Sequence, residues 1–495
     1  MKKFLLLTVF TCIATALAAQ QWVWTHNLQG GYGGAMREDA SGNIYTAMGI
    51  GSHPDVTQLT KMDSAGNTLW TRTLSCVVTA LVVNSNHAVI GGYFTDSVRF
   101  DNIFMQTSDS GTTDGFVVSY DLVGNMQWAR QVAGTMENSV TSIAGNAAGD
   151  IFACFHNDTT ATFNGMSFSK GLGVVALSSS GTATDHFQVQ GSVFSAEISV
   201  DDYDNIYLIG HYNSDAVADT ATIHCSDTYY GAYFVGRFQR NGAIYWVRDE
   251  GTGFRRSVSN ARAHTGNMYL TISNVYDSAT LVKYAPDGTV LWNKNFGSTI
   301  YTETYDMELD AQENIYLTGV LWYNGRFGTC MPAGNQYFLY VAKMDSSGNC
   351  YWSNTGQAAD ETAGLALSVE RGHVMMLGWD MGTGTVSLAP YTAQGPNFLA
   401  KISENATTGI QPPAIAPGVN LYPNPTSGIF SIQSGEIISG LEIYNTLGEK
   451  VHAQTVSATA VQLNLTGRSR EMYYVKMYFA NGSSAISKIA KCVSE

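Results

Sequence analysis

Positive charge is in short supply: 26 Lys+Arg stand against 40 Asp+Glu, and only 13% of the residues are charged. A chain with that balance repels phosphate backbones and anionic lipid, which argues against nucleic acid and membrane surfaces as partners. Cysteine is scarce as well, seven in 495 residues and no C-x-x-C, so neither a disulfide framework nor a zinc site shows in the spacing. Missing too are a His-Glu-x-x-His pair, a phosphate-cradling glycine loop ending in Gly-Lys and a Gly-x-Ser-x-Gly elbow, while the ten histidines are scattered singly. No catalytic residue and no metal ligand set is therefore assigned. Sustained helical spacing is also absent between residues 20 and 418, which excludes a helical or α/β fold.

One long apolar run is present, and it opens the chain. Met1-Lys2-Lys3 leads into an uncharged stretch from Phe4 to Leu17, and small residues at Ala16, Ala18 and Ala19 precede Gln20. That order reads as a secretory signal peptide over residues 1–19, shorter than the roughly 20 apolar residues of a spanning helix. The mature chain is expected to be exported without a transmembrane segment, and loss of the two lysines takes the formal charge from −14 to −16. The acid excess lies in the body, because residues 419–495 hold six basic and five acidic side chains. Export permits disulfides. The remaining cysteines read either as small buried apolar groups or, for Cys330 and Cys350 within one repeat, as a bridge.

Internal repetition decides the architecture. A polar turn followed by a short strand recurs at Asn43, His87, Asp150, Asn205, Asn267, Asn314 and His373, seven copies spaced 44 to 63 residues apart. A second element places Trp four positions after a turn glycine: Gly66 to Trp70, Gly124 to Trp128, Gly242 to Trp246, Gly288 to Trp292 and Gly348 to Trp352. The third repeat keeps Ser180-Gly181 but has no Trp, and Phe187 is the expected substitute. Repeats of ~40 to 60 residues with about four short strands each predict propeller blades. The seventh repeat stops at Phe398–Ser403 without a Trp strand, and Trp22-Val-Trp24 at the other end matches the missing strand. The prediction is an all-β fold: a seven-bladed β-propeller over residues 20–403, closed by its N-terminal strand, with Trp24, Trp70, Trp128, Trp246, Trp292 and Trp352 in the blade cores.

Asp114-Gly-Phe-Val-Val-Ser-Tyr-Asp-Leu-Val-Gly124 resembles a bacterial family of β-propeller repeats, which implies a scaffold and no reaction. Residues 404–418 carry three prolines and no apolar period, a linker. Beyond it, residues 419–495 alternate in short strands and predict a small Ig-like β-sandwich.

This tail resembles the C-terminal sorting domain, type A, of the type IX secretion system of Bacteroidetes. The matching residues are Tyr422-Pro423-Asn424-Pro425-Thr-Ser-Gly428, the central Leu441–Val451 segment with Gly448, then Tyr473-x-Val475-Lys476, and Lys488. The chain departs from the family at Glu471, where glycine is usual, and in the extension Cys492–Glu495. The resemblance implies partners in the type IX secretion machinery and a surface sortase that removes the domain while attaching the cargo to lipopolysaccharide. An accessory sandwich that simply stays in place is the plain alternative.

Function is expected in the long loops, about 96–113, 156–172, 213–231, 320–337 and 380–396, because loops on a rigid scaffold carry binding sites. Ser97, Thr159, Thr220 and Ser278 each follow Asp there and resemble O-glycosylation sites of exported Bacteroidetes proteins. Acidic turns such as Asp201–Asn205 offer oxygen to calcium or, more simply, cap a tight turn. No other cofactor is expected. With 27 Tyr and nine Trp, a face that stacks on sugars is open to the chain, as is a role for the Trp residues in the core alone. Two functions follow: a surface protein that binds a glycan or another surface protein without catalysis, or a polysaccharide-active hydrolase or lyase with paired carboxylates on the propeller axis.

Overall fold

The computed structural model describes residues 21–491 apart from 29–30, 32–33, 51–52, 253–255, 265, 275–277, 299, 333–336, 371, 383, 405–419, 446–449, 470–471 and 481–483. The signal peptide, the linker beyond Glu404, Gly448, Glu471 and Cys492 thus lie outside the described residues. Every regular element among those described is a β-strand, as expected of an all-β chain. Contacts divide the chain into one compact unit within residues 19–405 and a second holding residues 406–495.

Seven antiparallel sheets with a four-stranded core follow one another in the larger unit. Sheet 1 runs Gly34–Glu38, Ile44–Ile50, His53–Met62, Thr68–Leu74; sheet 2 runs Val77–Val83, His87–Thr95, Thr113–Asp121, Met126–Gly134. Sheet 3 is Asn138–Gly145, Ile151–Asn157, Gly171–Leu177, Ala183–Gln190, and sheet 4 is Val193–Val200, Ile206–Tyr212, Ala232–Phe238, Ile244–Thr252. Sheet 5 is Arg256–His264, Asn267–Asn274, Ala279–Tyr284, Val290–Phe296, and sheet 6 is Thr302–Leu309, Ile315–Trp322, Tyr337–Met344, Cys350–Gly356. Sheet 7 combines Thr362–Glu370, His373–Asp380 and Asn397–Ser403 with the first strand, Gln21–Leu28, which pairs antiparallel with Asn397–Ser403 from Gln21 opposite Ser403 to Leu28 opposite Asn397. The first strand of each sheet touches the first strand of the next, and that of sheet 7 touches that of sheet 1.

The acid excess reappears in the turns at one end of these sheets. Asp39 accepts the backbone N–H groups of Ser41 and Asn43 and the Asn43 amide, and Asp201 and Asp310 repeat the pattern with Asn205 and Asn314. Burial pushes the Asp39 and Asp310 carboxyls up, but these hydrogen bonds outweigh it and hold both below the ordinary carboxylate value. Asp201 is a cap in this structure.

Trp and Gly work across the seam between sheets. A Cβ on Gly124 would lie 3.0 Å from Trp70, one on Gly181 2.5 Å from Trp128 and one on Gly288 2.6 Å from Trp246, and all three glycines have φ between 74° and 91°. Only glycine meets both demands, the left-handed turn and the ring against it. The indoles donate to carbonyls of the same turns, Trp70 to Leu122, Trp128 to Ser179 and Trp246 to Pro286. Except for Trp128 the predicted core Trp side chains are only half-buried, because they fill seams between sheets.

Sheet 3 departs from this. The fourth position after Gly181 is Asp185, and Phe187, two residues further, supplies the ring: a Cβ on Gly242 would sit 2.3 Å from it. Arg240 of the next turn meets Asp185 at 2.7 Å, Asp150 at 2.8 Å and Asp204 at 3.5 Å. An ion network thus replaces the indole-to-carbonyl bond.

The predicted long loops are not irregular. They contain hairpins: Ser97–Phe100 with Ile103–Gln106, Ala161–Phe163 with Met166–Phe168, Ala216–Ala218 with Ala221–Ile223, and Thr385–Leu388 with Tyr391–Gln394. The second adds strands to the outer edge of sheet 2 and the third to that of sheet 3. Covering an outer strand removes a row of unpaired N–H and C=O groups. In sheet 6 the loop carries the disulfide Cys330–Cys350, while Cys76 and Cys154 are free and buried.

The smaller unit is one five-stranded sheet: Asn420–Tyr422, Ile429–Tyr444, Lys450–Asn464, Met472–Phe479 and Ser484–Ala490. Register shifts around Ile438 bend the long second strand so that Phe430, Ile432, Leu441, Ile443, Tyr473, Val475 and Ile489 share one core.

Candidate functional site

Antiparallel connection puts the second-to-third-strand loops and the links between sheets at the same end of the larger unit, opposite the Asp-capped turns. Ser97, Thr159, Thr220 and Ser278 all lie at this end; Ser97 and Thr220 are exposed, and Thr159 and Ser278 half-buried.

Acid and aromatic groups converge there on sheets 6 and 7. Alternation along the first strand of sheet 6 and the residue before it puts Tyr301, Glu303 and Tyr305 in series, and the register shift between Thr304 and Asp306 leaves Tyr305 as the extra residue of a bulge, 36% exposed. Tyr301 and Tyr305 both donate their hydroxyls to Glu303 Oε2, the latter at 3.1 Å. Glu361, in the link from sheet 6 to sheet 7, is half-buried: burial pushes its carboxyl up, and the charge of Glu303 adds to the effect. Burial, together with the bond to Glu303, raises both phenols as well.

Beside the acids runs a row of rings. Trp322 stacks on Tyr337 with centroids 4.8 Å apart and on Tyr323 at 5.7 Å, and Tyr337 meets Tyr301 edge-on at 5.6 Å. Tyr323 is 46% exposed and stands in the left-handed region at φ 61°, which a tyrosine rarely adopts. Trp322, Tyr323 and Tyr337 fall inside the predicted 320–337 loop. Tyr301 and Glu361 sit in links between sheets and Glu303 at the start of the first strand of sheet 6, all outside the predicted loops; the alternation Tyr301-x-Glu303-x-Tyr305 was the signal available.

In the smaller unit, Tyr422, Pro423, Asn424 and Pro425 are exposed and Thr426 is buried, its hydroxyl donating to Ile429 O and accepting Gly428 N–H. A Cβ on Gly428 would lie 2.5 Å from Thr466 Oγ1. Tyr473 is buried and donates to Ser469 O, and Lys488 stands opposite Tyr474 in the last strand pair. On the outer side of this sheet Glu442 accepts from Lys450, Tyr444 and Tyr478, which hold its carboxyl down at about 2.

Among the described residues no group of three or more His, Cys, Asp or Glu side chains is placed to hold a metal ion, and no helix is long and apolar enough to cross a membrane.

Residues 420–491 match the family described as the secretion system C-terminal sorting domain. No curated protein matches the chain. Among solved structures, BamB from Moraxella catarrhalis is similar at 10% identity and a TM-score of 0.37, over 95% of this chain and 99% of that one. PorZ of Porphyromonas gingivalis, described as an essential surface component of its type-IX secretion system, is similar at 11% identity and a TM-score of 0.16, over 94% of this chain and 100% of that one.

Proposed function

Given that the type IX sorting domain at residues 420–491 directs export across the outer membrane to the cell surface or beyond, we propose that its cargo is a closed seven-bladed β-propeller that binds glycans without catalysis. Closure is supported by the pairing of Gln21–Leu28 with Asn397–Ser403 and by the run of contacts through all seven first strands. The observation that carries glycan binding is the row Tyr323, Trp322, Tyr337, Tyr301 beside two carboxylates: ring faces stack on sugars while carboxylates accept sugar hydroxyls. Residues 1–19 act as the signal peptide in this reading. The tail, one bent five-stranded sheet and not the two-sheet Ig-like sandwich expected, is to be removed by the sortase, and Ser97, Thr159, Thr220 and Ser278 carry sugar on the loop face.

A glycan array probed with the exported chain tests the reading. Binding to at least one glycan, weakened tenfold or more (about 1.4 kcal/mol) by Trp322→Ala, is expected; no binding to any glycan overturns it. A second reading, a glycosidase, is favoured by one observation. Glu303 accepts the hydroxyls of two phenols, whereas Glu361 has no such donor among the described residues and burial pushes its carboxyl up, the asymmetry that a carboxylate pair with unlike roles needs. Product release from a bound glycan, lost in Glu361→Gln, would establish it.

A further inference from the structure

We propose that Glu303 and Glu361, walled by Tyr301, Tyr305, Tyr337 and Trp322, receive a protonated amine carried on a sugar, so that the preferred glycan holds free amino groups. This rests on the glycan reading above and adds the sign of the ligand's charge.

The larger unit supplies its own template. Four times it sets a carboxylate, a tyrosine ring and a cation together: Asp39 with Lys61 at 3.7 Å, Asp201 with Arg237 at 3.7 Å, Glu313 with Lys283 at 3.2 Å and Glu404 with Lys343 at 2.7 Å. In each case the cation also lies over a ring, Lys61 over Tyr45 at 5.0 Å, Arg237 over Tyr207 at 5.7 Å, Lys283 over Tyr269 at 4.8 Å and Lys343 over Tyr316 at 4.8 Å. The tyrosine hydroxyl donates to the same carboxylate each time. Attraction to the ring face and to the anion add, and the hydroxyl fixes the anion in place.

At Glu303 the same parts recur without the third. Two tyrosine hydroxyls fix the carboxylate, further rings stand alongside, and a second carboxylate, Glu361, immediately precedes the neighbouring strand Thr362–Glu370, which packs on the strand near whose start Glu303 lies. Among the described residues neither acid has an ion-pair partner, whereas Asp306, on the same strand, faces Arg37 at 3.6 Å. The missing member is a cation, and the site opens to solvent through Tyr305 and Tyr323. A neutral sugar would leave the repulsion in place and an acidic one would add to it. A stacked pyranose bearing an ammonium group relieves it, because the ring engages Trp322 and Tyr337 while the amine reaches both acids.

The experiment compares a hexamer of glucosamine with a hexamer of N-acetylglucosamine, which share a backbone and differ in the charged group, by calorimetric titration into the exported chain. The buffer keeps the amine protonated and the carboxylates ionised. The glucosamine hexamer should bind about tenfold tighter or more. Glu361→Gln should bring that preference to within about threefold, with the larger loss of affinity falling on the glucosamine hexamer. This variant is expected to fold, since the Glu361 side chain makes no hydrogen bond among the described residues; an unchanged melting temperature verifies it. Equal affinity for the two hexamers, or a preference that survives Glu361→Gln, overturns the amine assignment and leaves glycan binding standing. Binding of hexalysine as tight as that of the glucosamine hexamer overturns the sugar half. Absence of binding to either hexamer and to every other array glycan brings down both readings.

Discussion

The two units manage sheet edges in different ways. The larger one returns its first strand to its last sheet and lays hairpins over outer strands, so its cohesion is divided among similar seams, six of them with a ring under a glycine turn. The smaller one is a single bent sheet around one cluster of side chains, with nothing repeated. Damage should therefore be shared in the first and decisive in the second, unless it strikes the one strand on which closure depends.

Deleting Gln21–Leu28 is the severest test. It removes buried Trp22 and bares the edge at Asn397–Ser403, and the melting temperature of the larger unit should fall by more than about 10 °C with aggregation, while the smaller unit's transition stays put. Calorimetry of the chain with its tail retained reads both, and an unmoved first transition refutes closure. Next comes Tyr473→Ala in the small core. A loss of about 3–5 kcal/mol exceeds what a domain of this size can spare, so the tail should unfold and the protein accumulate in the periplasm with its larger unit intact. Surface display of this variant at wild-type levels would count against the sorting role.

A finer cut separates one seam from another. Trp128→Ala should cost about 3 kcal/mol, whereas Arg240→Ala, whose ion network is partly exposed, should cost about 1 kcal/mol or less and less still at high salt. Equal losses in chemical denaturation would mean that the ion network substitutes fully for the ring. The smallest effect concerns Glu442. Its folded value of about 2 lies below the ordinary 4.5, so its contribution is present above the ordinary value and is lost as pH falls from there through about 2. Melting of the tail in that window should be less steep in pH for Glu442→Gln than for wild type.

Much of the larger fold was legible because a propeller repeats its local chemistry. The Gly-to-Trp spacing marked a real seam, and the incomplete seventh repeat pointed to Trp22-Val-Trp24. What escaped was whatever is not periodic. The hairpins hid inside loops because strands of three or four residues give too little alternation to read. Phe187 was identified as the substitute ring, but Asp185 and its tie to Arg240 were not, since Arg240 follows it by 55 residues. Glu303, at the start of a strand of sheet 6, and Glu361, in the link to sheet 7, lie 58 positions apart, and no local pattern connects them.

The pairing of the first strand with the last sheet also sets a timetable. Gln21 leaves the ribosome before any other described residue, yet its partner Ser403 comes near the end, so the earliest strand made is the last that can find its place. Until then, sheets 1 to 6 assemble from near neighbours while the seventh waits with an open flank. Chain-long contacts of this kind form slowly. A body that locks only when nearly all of it is present would remain pliable in transit and become fully cohesive late.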